Sequence, residues 1–242
     1  MFKKLARKLL SPLGLNIRFS VVPGFSIFGF NIHSDTRKGK PKFRAEYAFD
    51  YCANLDIKNV LDVGSGGGEH SKKFAHRNFD VTCIDYGTSV YAKQSKLIDK
   101  KIKVIHGNFN NFVHDSQFDL VWASHVIEHQ QDVGLFIRKL IECCMPNGYI
   151  CITVPDPHRH LWGGHLTIWS PGLLAYNIAL CGVNLSDALF IRGTQESSII
   201  FQLKKAFLPG DLTYDLGDID KISHLLPSSL SEGDDPWKVE YI

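Results

Sequence analysis

Two clusters in the 242-residue chain have residue types at spacings that can do chemistry. The first is "NVLDVGSGGGEH", residues 59–70, an apolar run broken by Asp62 and followed by Gly64, Ser65, Gly66, Gly67 and Gly68. Glycine reaches positive φ without steric cost and has no Cβ, so such a run bares backbone N–H groups to a ligand. Asp85 ends the next apolar run, "VTCID", 21 residues after Gly64. A single carboxylate there can accept hydrogen bonds from two neighbouring hydroxyls. The second cluster is His125-Val-Ile-Glu128-His129, followed by His158, His160 and His165. Imidazoles and a carboxylate at this density suit proton transfer near neutral pH, or the N/O ligation of a divalent metal.

These residues need a frame, and the punctuation of the chain supplies one. Residues 57–64, 80–87, 102–109, 118–125 and 148–155 read as buried strands, with helices over 68–79, 89–100 and 132–144 between them. Strands alternating with helices of this length predict a doubly wound α/β sheet, apolar on both faces. After Pro155 the rhythm changes. Residues 156–169 read as a loop, and residues 170–183 as a helix with Ser170 at its N-cap and Pro171 at its first position. Residues 187–193 and 197–205 read as an antiparallel hairpin. The expected fold is therefore Rossmann-like, seven-stranded and mostly parallel, with an antiparallel final hairpin strand. Both clusters fall at the carboxyl ends of strands, where ligands bind in such sheets.

Three regions follow from this frame: a basic extension or loop-rich lid over residues 1–42, the α/β domain over 43–205 and an acidic, irregular tail over 206–242. The formal net charge is only +2, which argues against nucleic acid as a partner. Its distribution is uneven: residues 1–50 hold ten Lys/Arg against three Asp/Glu, and residues 211–242 hold two against eight. The front and tail are placed to contact each other, or the front to face an anionic surface. Within that front, residues 1–10 have amphipathic helical spacing, which suits peripheral membrane contact or docking on the chain's own domain. The six cysteines lie mostly in apolar runs without a Cys-x-x-Cys pair, as expected in the reducing cytoplasm.

Read together, these motifs resemble the class I S-adenosylmethionine-dependent methyltransferases. The glycines are spaced G-x-G-x-G, and Glu69 stands where a dinucleotide fingerprint needs its last glycine. The segments "FDLVWASHVIEH", "MPNGYICITVP" and "GHLTIWSPGLLAYNIALCGV" extend the resemblance over roughly residues 45–204. The resemblance implies a cofactor set of Asp62, Gly64, Ser65, Gly66, Gly68, Asp85, Tyr86, Asn108, Phe109 and Ser124. Asp85 would hold the ribose and Phe109 would line the adenine pocket. Asn108 stands where the family commonly has Asp, and it keeps an acceptor oxygen without the charge.

The His-x-x-Glu-His stretch is similar to the Glu-x-x-Glu-His of ubiquinone-biosynthesis O-methyltransferases, which implies a divalent metal on His125, Glu128 and His129. The alternatives are a turn that shapes the pocket, or one in which His125, His129 or His165 acts as general base. The implied activity is methylation of a hydroxyl on a small polar acceptor, a sugar, sugar nucleotide or surface-glycan precursor, with Trp162 and Trp169 suited to stacking on it. A nicotinamide-dependent oxidoreductase and a non-catalytic binding protein on a degenerate methyltransferase fold are the competing readings.

Overall fold

The computed structural model describes residues 15–20, 29–34, 41–94, 101–158, 162–215, 217–227, 230–231 and 238–239. The chain divides into two compact units, residues 1–40 and 41–242. In the first, β1 (Leu15–Ser20) and β2 (Gly29–Ser34) pair antiparallel with Ile17 opposite Ile32. A hairpin thus occupies part of the stretch expected to be loop-rich. Both strands alternate apolar and polar residues, which was the available signal. The helix expected over residues 1–10 lies outside the described residues.

The second unit holds the seven-stranded sheet. Here β3 (Asn59–Val63), β4 (Asp80–Asp85), β5 (Ile102–His106), β6 (Phe118–Ser124) and β7 (Cys144–Pro155) run parallel. The strands β8 (Leu189–Arg192) and β9 (Glu196–Gln202) form the antiparallel hairpin, with β9 paired to β7. The spatial order is β5-β4-β3-β6-β7-β9-β8. From β3 the chain winds outward through β4 and β5, then returns to β6 and winds the other way. The switch point therefore lies between β3 and β6, whose carboxyl ends carry the glycine run and the His-x-x-Glu-His turn. Strand β6 shows why helices must cover both faces: Leu120 and Trp122 are fully buried on one side, Val121 and Ala123 on the other.

Helices α1 (Glu46–Cys52), α2 (Glu69–His76) and α3 (Val90–Gln94) precede β3, β4 and β5 respectively, and α4 (Val133–Cys143) and α5 (Pro171–Ala179) flank β7. Residues 95–100 of the helix expected beyond α3 lie outside the described residues. Asp132 caps α4 by accepting from the Leu135 N–H at 2.8 Å, and Ser170 caps α5 by accepting from Leu173 at 3.1 Å, with Pro171 first in the helix as expected.

Residues 206–242 are not irregular throughout. They contain α6 (Asp218–Ile222) and a 3₁₀ turn (Ser223–Leu225). Ile222 and Leu225 are buried in the core, and the Leu225 carbonyl accepts from the Leu185 N–H at 2.7 Å. The Asp218 carboxylate accepts from the Thr213 and Tyr214 N–H groups at 2.7 and 2.5 Å. The acidic composition masked this anchoring, because few apolar residues carry it. No helix among the described residues is long and apolar enough to cross a membrane.

Candidate active site

The glycine loop is built as its composition requires. Gly64, Gly66 and Gly68 have φ of +67°, +51° and +72°, a region costly for any residue with a Cβ. Gly64 is also a packing necessity: a Cβ there would sit 2.5 Å from Val126 Cγ2, on the turn after β6. The two loops of the switch point therefore touch. Asp85 fixes the arrangement. Its Oδ2 accepts from the Gly66 N–H at 3.0 Å and its Oδ1 from the Gly87 N–H at 2.8 Å. Each oxygen has a second lone pair, so the carboxylate can hold the loop and still accept from a ligand's hydroxyls.

Asp62 lies beneath the loop, 2% exposed, and accepts from Ser71 Oγ at 2.5 Å. Burial raises its pKa, against lowering by His70 and the Ser71 hydrogen bonds. Ser65 closes the loop through its carbonyl, which accepts from the Gly68 N–H at 2.8 Å. The Ser124 hydroxyl at the end of β6 is buried without a hydrogen-bond partner. Tyr86 is well exposed beside Asp85. Asn108 accepts from the Asn110 N–H at 2.9 Å, capping its own 3₁₀ turn. Phe109, expected along an adenine pocket, is packed into the core, with its ring centroid 5.4 Å from Phe136.

The histidine turn separates two sets of groups that the sequence had run together. Glu128 is 1% exposed, and neither carboxylate oxygen has a hydrogen-bond partner. Ligand atoms of Glu128, His129 and His165 all lie within 4.8 Å of one another. His129 Nδ1 donates to the Gly164 carbonyl at 2.6 Å, since a carbonyl can only accept; this leaves Nε2 as the acceptor in the neutral ring. His165 Nδ1 is buried without a partner, and its ring meets that of His129 at 4.9 Å edge-on. His165 has its pKa lowered, first by desolvation, then by His129, His158 and His125 against the opposing pull of Glu128.

His125 is not in that set. It adopts φ +58°, and its Nε2 lies 2.7 Å from Glu196 Oε2. Its Nδ1 is 3.4 Å from Glu128 Oε1, a charge contact without directed hydrogen-bond geometry. Burial lowers the His125 pKa, but the two carboxylates, Glu128 as a close charge and Glu196 as a hydrogen-bonded partner, outweigh it, and the net direction is up. The expected trio His125, Glu128 and His129 is thus replaced as a ligand-like cluster by Glu128, His129 and His165. His125 belongs instead to an ion pair with Glu196, a residue that motif reading passed over. Its signal was slight: one acid at the head of an apolar strand. Trp162 is half exposed and stacks on His158 at 4.0 Å, whereas Trp169 is buried in the core. His160 lies outside the described residues.

Residues 61–152 match the family model of the methyltransferase domain. That match covers β3 to β7, with the glycine loop, Asp85 and the histidine turn inside it. Residues 61–152 form a class I S-adenosylmethionine-dependent methyltransferase domain. Curated relatives of this chain include the ubiquinone biosynthesis O-methyltransferase of Rickettsia akari, 32% identical over 121 residues, covering 46% of this chain and 47% of that protein. The enzyme of the same name from Psychrobacter cryohalolentis is 36% identical over 102 residues, 39% of each. The chain thus spans about half, or less, of the length of these relatives. Among solved structures, a methyltransferase from Aquifex aeolicus superposes with a TM-score of 0.55 at 17% identity, over 67% of this chain and 90% of that one. An amino pentose methyltransferase from Micromonospora echinaspora gives 0.52 at 15%, over 66% and 90%. At such identities the likeness is one of fold.

Proposed function

We propose that this methyltransferase moves the methyl group of S-adenosylmethionine to a hydroxyl of a small polar acceptor, a sugar or sugar nucleotide of surface-glycan synthesis, in the cytoplasm. One observation carries the cofactor assignment. Asp85 ties the glycine loop to its own turn and keeps a lone pair free on each oxygen, where a ribose diol would bind. Asp62, Gly64, Ser65, Gly66, Gly68, Tyr86, Asn108 and Ser124 complete the proposed cofactor set. The O-methyltransferase relatives support a hydroxyl acceptor, and the half-exposed Trp162 offers a face for a sugar ring.

Transfer from a sulfonium is an in-line displacement, so holding donor and acceptor in line supplies most of the catalysis. The acceptor hydroxyl must lose a proton as its oxygen bonds to carbon. His165, whose lowered pKa keeps it neutral at physiological pH, is the proposed base. His129, with Nδ1 committed to Gly164, presents Nε2 beside it. His125, whose Nε2 is committed to Glu196 and whose pKa its two carboxylates raise, is less suited to take that proton.

In a second reading His165 is a ligand in place of the base: the orphaned oxygens of Glu128 and the orphaned Nδ1 of His165 fit a divalent metal with His129 as the third ligand. Such an ion, when bound, would supply a Lewis acid for the acceptor oxygen.

Titration calorimetry with S-adenosylhomocysteine tests the cofactor assignment. Saturable heat is expected, weakened about 10- to 100-fold in Asp85→Asn through loss of charge-assisted hydrogen bonds. No heat at millimolar ligand, or equal binding of a nicotinamide dinucleotide, would overturn it. Tritiated methyl transfer to a panel of sugars and sugar nucleotides tests the acceptor class.

A further inference from the structure

The unassigned residue at the centre of this site is Glu196. It opens β9, is 7% exposed and uses both oxygens. Oε2 meets His125 Nε2 at 2.7 Å, and Oε1 accepts from the Ala45 N–H at 2.5 Å. The turn before it makes room: a Cβ on Gly193 would lie 2.5 Å from Glu196 Cγ. Both partners have left-handed backbones, Ala45 at φ +55° and His125 at φ +58°, which neither side chain favours. The carboxylate therefore holds two strained positions at once.

These positions belong to different parts of the site. Ala45 ends a strap, residues 42–45, that is pinned to the helix following the glycine loop. The Arg44 carbonyl accepts from His70 Nε2 at 2.8 Å, and Lys73 Nζ lies 3.8 Å from the centre of the Phe43 ring. His70 lies in the first turn of α2 and Lys73 in its last. His125 leads into the turn that carries Glu128 and His129.

We propose that Glu196 is a positioning residue: by bonding Ala45 and His125 together it couples the strap over the cofactor's helix to the turn that faces the acceptor. Ordering the strap when the cofactor binds thereby sets the acceptor turn. The inference rests on reading the glycine loop as the cofactor site.

Hydrogen–deuterium exchange, with and without S-adenosylhomocysteine, tests it. In the wild type the ligand slows exchange in residues 42–49 and 125–130 together. In Glu196→Ala the ligand still binds, about tenfold more weakly, and still slows exchange in 42–49 through the contacts with α2, but it no longer slows exchange in 125–130. Glu196→Gln, whose amide oxygen can still accept from Ala45, restores that protection; a merely structural role predicts no such rescue. Should Glu196→Ala fail to fold, Gly193→Ala displaces the carboxylate without removing it and should give the same loss. Wild-type affinity and wild-type ligand-dependent protection in Glu196→Ala or Gly193→Ala would overturn the coupling. If the wild type itself binds no S-adenosylhomocysteine, the cofactor reading fails, and the tie is judged in the free protein. Faster exchange of both segments in Glu196→Ala then supports it, and faster exchange of residues 42–49 alone overturns it.

Discussion

Asp62 is the residue on which stability and function pull apart. Burial raises its pKa above the ordinary 3.8, despite the hydrogen bond from Ser71. For an acid whose folded pKa is raised, the favourable contribution is present below the unfolded value and lost as pH rises through the folded value. At neutral pH, above the unfolded value, burying this carboxyl group is therefore a cost to the fold, and its place beneath the glycine loop gives the reason to keep it. Asp62→Asn, which keeps an oxygen for Ser71, should be more stable than the wild type at pH 7. The advantage should shrink as pH falls towards 4. Its affinity for S-adenosylhomocysteine should drop roughly tenfold, as for loss of one charged partner. Urea unfolding across that pH range, with calorimetry at pH 7, checks both. A variant that is less stable at pH 7 and binds normally would refute the assignment.

At the scale of elements, the site is a meeting of two loops, and Gly64 is where they meet. Gly64→Ala should cost about 1–2 kcal/mol for its left-handed backbone alone. It should cost more because its Cβ would strike Val126. Val126→Ala in that background should relieve the clash and leave the backbone part, a coupling that a double-mutant cycle in urea resolves. If Val126→Ala adds its own cost in full, the contact is not what demands glycine. The strand, glycine loop and helix were legible in the sequence because each is encoded locally, by an apolar run, by missing side chains and by helical spacing. Asp85 was legible too, since it ends a neighbouring strand. Val126 opposite Gly64 was not, nor was Glu196 opposite His125, 71 residues apart. Such contacts depend on which strands become neighbours, and no local pattern records that. The histidine cluster was half legible: its members were named, but their sorting into one set around Glu128 and another around Glu196 awaited the backbone turn at His125.

Across the whole molecule, the domain's core does not end with its sheet. Two acids of the described tail pair with a lysine of their own segment: Lys221 Nζ lies 3.0 Å from Asp211 and 3.1 Å from Asp218. What fastens this segment is apolar burial, with Ile222 and Leu225 completing the face formed by α5, β8 and β9. Leu225→Ala should therefore destabilise the domain by about 2–4 kcal/mol, the usual cost of a truncated core leucine. Asp211→Asn, which removes an exposed charge from the same segment, should leave the unfolding midpoint unchanged. Urea denaturation followed by tryptophan fluorescence, to which Trp122 contributes from the opposite face of the sheet, reads both variants. A single shifted transition in Leu225→Ala would show that the tail unfolds with the sheet. An unshifted midpoint would mean that the segment is a peripheral appendage, and that the methyltransferase domain ends near residue 205.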